Sequence, residues 1–325
     1  MARPLAASWQ RLGSRPMDLL IAESLEPDVV AWLESRHSVR YAPQLANDPR
    51  GFRQGLAEVR ALIVPSSLAL DAQTLQQAPL LRAVGRVSAG AENIDLEACA
   101  RAGVEVVRSL TASAQAEAEF MIHALLSLLR RFPVVGPDGN LAGRELSSCT
   151  VGLIGMQPAA RSMAQMLTGF DTRLVGYEPT LHPTDGVWER WRVKPLGLRE
   201  LLQEADAVCV QLPYFSRYRG LLGERFLPLC KPDQVIVSIS HSALFDEACL
   251  ADALATDRLA AVWLDSLEPG ALEPGRPLHG IDTLQVSPRV ASTTRESHQR
   301  SAWAVAKRID ELIRVEPLSR VDSLE

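Results

Sequence analysis

The chain has 325 residues, 47% of them apolar and 22% charged, and a formal net charge of −5. That length allows two domains, each able to bury its own core, and the acidic balance leaves no basic field for nucleic acid or an anionic membrane. Five widely spaced cysteines (Cys99, Cys149, Cys209, Cys230, Cys249) include no C-x-x-C pair, so reduced thiols of a cytoplasmic protein are expected, with no metal site.

Residues 1–16, "MARPLAASWQRLGSRP", lack the apolar core of a signal peptide and read as a flexible tail, with Met17 directly before the first strand-like run. No segment reaches the roughly 20 apolar residues of a membrane span. Strand-like runs then alternate with helix-length segments: "DLLIAE" (18–23), "ALIVPSS" (61–67), "LRAVGRV" (81–87) and "VEVVRS" (104–109). The long amphipathic stretch "SAQAEAEFMIHALLSLLRR" (113–131) follows, with Ser113 as its expected N-cap, and then a Pro/Gly-punctuated loop over 132–148. The alternation restarts with "TVGLIG", "RLVGYE" (173–178), "DAVCVQLP" (206–213), "QVIVSIS" (234–240), "LAAVWLDSL" (259–267) and "TLQVSPRVA" (283–291), and a helical pattern over 296–313 closes the chain. Strands alternating with helices indicate parallel sheets with crossover helices. The fold class expected is therefore α/β, with two Rossmann-like lobes.

The run "VGLIGMQPAARSMAQML" (151–167) has the strand, turn and helix of a dinucleotide-binding unit, but its G-x-G-x-x-G positions read Gly155, Gln157 and Ala160. The first glycine serves the tight turn, the second the approach of the backbone to a pyrophosphate, and the third the packing of helix on strand. Gln157 places a side chain where phosphates would lie, and Pro158 removes an N–H from the helix start. Glu178, 23 residues after Gly155, is placed either to bind a ribose hydroxyl, which would favour NAD over NADP, or to stand as a solvated residue at a strand end.

Three longer runs carry a resemblance: "VGRVSAGAENIDLEACARAGVEVV" (84–107), "SLTASAQAEAEFMIHALLSLLRR" (109–131) and the stretch 198–254 that contains "ADAVCVQLPYFSRYRGLL" and "VIVSISHSALFDEACL". From Met17 onward the chain resembles the D-isomer-specific 2-hydroxyacid dehydrogenase family. The resemblance implies a discontinuous substrate lobe (17–110 and 292–325, flavodoxin-like) and an inserted nucleotide-binding lobe (111–291). It further implies hydride transfer between NAD(H) and a 2-oxo acid, a ligand cleft between the lobes, and a homodimer built on the long helix. In the substrate loop it points to Ser88, Ala89 and Gly90, with Ser88 where a glycine is usual. On the cofactor side it points to Gly155, Gln157, Pro158, Glu178, Pro213 and Asp265.

The family's triad positions are altered. Its carboxylate-binding arginine corresponds to His241, its general-acid histidine to Arg289, and the glutamate that supports that histidine to Gly270. Two threonines on the cofactor's phosphate side correspond to Phe215 and Tyr218. Trp188 and Trp191 fall where an adenine would lie, or else pack on a neighbouring helix. Two readings follow. In the first, the chain is a non-redox descendant: the standard hydride transfer is lost, NAD is bound weakly or not at all, and the fold takes another ligand, such as a small molecule in the cleft, or a protein partner, or performs a different reaction. In the second, the chain is a working NAD(H)-dependent oxidoreductase, with His241 donating the proton and Arg289 clamping a carboxylate.

Overall fold

A computed structural model describes residues 17–88, 93–109, 111–130, 135 and 139–314. The expected tail (1–16) and the substrate-loop residues Ala89 and Gly90 lie outside the described residues. The chain forms two compact units, one of residues 1–109 with 298–325 and the other of residues 110–297. The second crossing between units, at 297/298, falls within the last helix.

The first unit contains a five-stranded sheet, all parallel, of β1 (Leu19–Ile21), β2 (Val39–Tyr41), β3 (Ala61–Ile63), β4 (Ala83–Arg86) and β5 (Glu105–Arg108), in the order β2-β1-β3-β4-β5. Helices α1 (Pro27–Glu34), α2 (Pro49–Gln54), α3 (Ala72–Gln76) and α4 (Leu96–Arg101) connect its strands. Alternate residues feed two cores: Leu20, Leu62 and Val84 pack on one face, while Leu19, Ile21, Ala61, Ile63 and Ala83 pack on the other with Val305 and Ile309 of the C-terminal helix. A sheet covered on both faces needs strands apolar throughout, which is why these runs are continuous rather than alternating.

The second unit begins with α5 (Ala114–Leu129) and contains β6 (Thr150–Ile154), α6 (Pro158–Leu167), β7 (Arg173–Tyr177), α7 (Gly186–Arg190), β8 (Lys194–Pro195), α8 (Leu198–Glu204), β9 (Ala207–Val210), β10 (Val235–Ser238), α9 (Glu247–Ala255), β11 (Ala261–Leu264) and β12 (Leu284–Val286). Its seven strands are parallel in the order β12-β11-β10-β9-β6-β7-β8. The closing helix α10 spans Arg295–Arg314. Val151, Leu153, Cys209 and Val237 face the α5/α6 side, and Ile154, Val208, Val210 and Ile236 face the other.

Strands β2 and β8 have no counterpart among the runs read from the sequence. β2 is a three-residue edge strand and β8 has two residues including Pro195, so neither carries an apolar run. Ser113 does occupy the N-cap of α5, but it makes no side-chain capping bond. Its hydroxyl instead bonds the carboxyl of Glu117.

Candidate functional site

β6 pairs with β9 on one side and β7 on the other, so the chain reverses its direction of sheet growth there. Ligands of open parallel sheets bind outside the carboxyl ends of the strands at such a switch point. Gly155 leaves β6 at φ +99°, and a Cβ on it would lie 2.8 Å from the carbonyl oxygen of Gln211 just beyond β9. Both the left-handed backbone and the close approach require glycine.

The turn that follows is bonded from within the chain. Glu178 is only 6% exposed. Its Oε2 accepts from the Met156 N–H (3.1 Å), and its Oε1 accepts from the Thr180 N–H (3.2 Å) and hydroxyl (2.8 Å). The solvated strand-end alternative for Glu178 is thereby corrected. Gln157 is the N-cap of α6 without a side-chain cap bond, and Pro158 stands at the first helical position, where a missing N–H is tolerated by the helix. The Ala160 N–H donates to the Gln211 Oε1 at 2.7 Å, so Gln211 caps α6 from 51 residues away. Ala160 itself is fully buried, consistent with helix-on-sheet packing at the third fingerprint position. Arg161 donates through Nε to the Met156 carbonyl (2.9 Å).

The loops after β9 and β10 are joined by the Ser240 hydroxyl, which donates to the Leu212 carbonyl (2.9 Å). Pro213 is exposed just beyond. His241 precedes a short 3-10 turn, Ser242–Leu244, and its Nδ1 accepts from the Ala243 N–H at 3.1 Å. That bond leaves Nε2 as the proton-bearing nitrogen of the neutral ring. The ring stacks on Tyr214 with centroids 4.7 Å apart. Phe215 and Tyr218 meet edge to face, and the Arg217 guanidinium lies 4.8 Å from each ring. Phe215, Arg217 and Tyr218 thus form an aromatic and cationic cluster in the loop after β9.

Asp265, 5% exposed at the end of β11, is occupied by the turn after β12. Its Oδ1 accepts from the Ser287 hydroxyl (2.6 Å) and the Val290 N–H (2.9 Å), and its Oδ2 from the Ala291 N–H (2.9 Å). Arg289 sits in that turn at φ +57°, its N–H donating to the Asp265 carbonyl. His241 follows β10 and Arg289 follows β12, both beyond the carboxyl ends of strands that have β11 between them. Gly270 lies at φ +80°, a left-handed backbone that strains any side chain.

Two residues here escaped the sequence reading. Gln211 gives no local signal, because its partner is remote in the chain. Glu117 lies in the first turn of α5, where burial pushes its carboxyl above the usual range, the Ser113 hydroxyl opposes the shift, and the charge of Asp265 adds to it. Trp188 is 4% exposed, is packed against Gly176, and donates from Nε1 to the His182 carbonyl, so it is a core residue.

In the other unit, the Ser88 hydroxyl accepts from Arg86 and donates to the Glu23 Oε1 (3.1 Å). Burial raises the Glu23 carboxyl, although Arg86 and Ser88 pull it down. Ser88 thus ties the end of β4 to the loop after β1. His298 and His37 are paired with Glu26 (2.9 Å) and Asp310 (2.8 Å).

Residues 130–291 match the family described as D-isomer specific 2-hydroxyacid dehydrogenase, NAD binding domain. Over 295 residues the chain is 30% identical to the (S)-sulfolactate dehydrogenase of Chromohalobacter salexigens, covering 88% of this chain and 95% of that protein. It is 30% identical over 301 residues to the D-3-phosphoglycerate dehydrogenase of Mycobacterium tuberculosis, covering 90% of this chain and 56% of that protein, so it spans little more than half of that relative. The apo structure of Rhodotorula graminis D-mandelate dehydrogenase matches with a TM-score of 0.78 at 19% identity, covering 91% of this chain and 94% of that one. At that identity the likeness is one of fold.

Proposed function

Since the chain belongs to the D-isomer-specific 2-hydroxyacid dehydrogenase family, we propose that it is a diverged member in which the standard hydride transfer to a 2-oxo acid has been lost and NAD(H) is held weakly or not at all. One observation carries this reading: the helix start that would cradle a diphosphate is satisfied from within, the Ala160 N–H by Gln211 and the Met156 N–H by Glu178. Pro158 offers no N–H, and Gln157 adds bulk at the same place. These residues do not fit a dinucleotide diphosphate bound through first-turn amides.

The chemistry at the sheet edge supports the same conclusion. Reduction of a ketone needs a proton donor with a pKa near the working pH. A guanidinium is not a general acid for such a step, so Arg289 does not fit that role. Gly270 provides no carboxylate to orient an imidazole. The ligand is then a small molecule, and the long helix α5 fits a homodimer, as the family resemblance implies.

A second reading keeps the chain as an oxidoreductase, with His241 as donor from Nε2 and Arg289 as a carboxylate clamp. The bond from the Ala243 N–H to Nδ1, which fixes the tautomer, favours it. Steady-state assay of NADH oxidation with a series of short 2-oxo acids separates the two. The proposal expects no consumption above background. Turnover that His241→Ala abolishes and His298→Ala leaves intact would overturn it in favour of the second reading.

A further inference from the structure

We propose that the second unit binds a small zwitterion, a molecule with one carboxylate and one ammonium group, in a cavity beyond the carboxyl ends of β10 and β11. The cavity measures about 290 Å³, at the lower end of the range for small-molecule sites. None of its lining residues belongs to β6 or α6, so the inference stands whether or not NAD(H) binds at the switch point. Its frame is backbone. The loop after β9 is pinned to the turn after β10 by the Gly220 N–H on the Ala243 carbonyl (2.8 Å), the Leu222 N–H on the Leu244 carbonyl (2.9 Å) and the Asp246 N–H on the Leu222 carbonyl (3.1 Å). These walls are set before a ligand arrives, which lowers the cost of ordering them on binding.

Charges of both signs line the cavity, and one of its ion pairs is loose. Arg219 reaches Glu268 by a single contact, Nη2 to Oε1 at 3.4 Å, longer than an ordinary hydrogen bond. The two side chains are 64% and 38% exposed, so water competes for both and the pair contributes little to the fold. A ligand carboxylate on the Arg219 guanidinium and a ligand ammonium on the Glu268 carboxylate replace that one long contact with two charge-assisted bonds. In the same cavity Arg276 donates to the Glu247 Oε2 (2.7 Å), and Asp246 caps α9 by accepting from the Cys249 N–H (2.9 Å). Ser242 also lines it, is 8% exposed, and has a hydroxyl with no hydrogen-bond partner among the described residues. A polar ligand gives that group the bond it lacks. Three carboxylates against two guanidiniums disfavour a dianion such as phosphate. A simple cation would face both arginines, and an apolar molecule would desolvate the ion pairs without replacing their bonds. A molecule that carries both charges and is neutral in sum meets neither penalty. Phe245, 5% exposed, supplies an apolar wall for a short side chain. Small α-amino acids have this chemistry.

The test uses the full chain, with calorimetry and thermal unfolding in alanine, serine, propionate and propylamine. At least one of the two amino acids is expected to bind and raise the Tm. Propionate and propylamine keep one charge each, and should bind roughly tenfold more weakly or worse. Arg219→Gln and Glu268→Gln each neutralise one partner of an exposed pair, so the ligand-free Tm should barely move while binding weakens by a similar factor. Ser242→Ala should weaken binding as well, by removing the hydroxyl. The proposal is overturned by failure of both amino acids to bind the native chain. It is equally overturned if propionate or propylamine binds as tightly as the amino acid, or if Arg219→Gln and Glu268→Gln bind it as the native chain does.

Discussion

Gly155 shows why one fingerprint glycine persists while the others are gone. The fold itself demands it, through a positive φ and the 2.8 Å approach to the Gln211 carbonyl, whereas a second glycine is needed only when a phosphate must come close. Gly270 makes the complementary point, since placing a glutamate there would put a side chain on a left-handed backbone at about 1–2 kcal/mol. Glu117 provides a test at this scale. Burial raises its carboxyl above the unfolded value, so the folded state holds its proton to higher pH than the unfolded chain does. Stability is therefore full below the unfolded carboxylate pKa of about 4.3 and falls as pH rises towards the folded value. Glu117→Gln should raise the Tm near neutral pH by a few degrees, roughly 1 kcal/mol, and the gain should vanish near pH 4. Unfolding curves across that range would check it. Residue identities alone carry the proposed change of triad at His241, Gly270 and Arg289. What joins Glu178 to Met156, Asp265 to the turn after β12, and Gln211 to Ala160 was not legible in the sequence, because those partners are remote in the chain.

Elements long enough to bury both faces were legible, and short ones at edges were not. β6, β9 and β10 announce themselves as continuous apolar runs, while β2 and β8 depend on a neighbouring strand for their existence. The connection between central strands rests on a polar device that no periodicity reveals. Asp206, at the entry to β9, accepts from the Thr150 N–H at the start of β6 (2.7 Å), from Lys231 (2.9 Å) and from Arg144 (3.1 Å). Burial works against ionisation there, but the Thr150 N–H, Lys231 and Arg144 together hold the carboxyl below its ordinary value. The stability this supplies is present above the unfolded pKa of about 3.9 and is lost as pH falls through the folded value. Asp206→Ala should cost about 2 kcal/mol at neutral pH, leaving a half-buried ion cluster and one strand N–H unpaired. The difference from the native chain should shrink at acid pH, which chemical denaturation at pH 7 and pH 3 would show.

At the scale of the whole molecule, the two parallel sheets and the match over 88% of the chain to a relative of similar length make the family plain. Among the described residues no helix is long and apolar enough to cross a membrane. Family and fold alone do not assign the reaction, because function resides in the site, and here the Met156 and Ala160 N–H groups at the switch point are bonded by the side chains of Glu178 and Gln211. Thermal unfolding of the purified protein with millimolar NAD, NADH, NADP and NADPH, each added separately, tests that claim most directly. A ligand at about 100 times its dissociation constant would add roughly 2.7 kcal/mol and raise the Tm by a few degrees. The account predicts no shift with any of the four, and a shift of that size with NADH would contradict it.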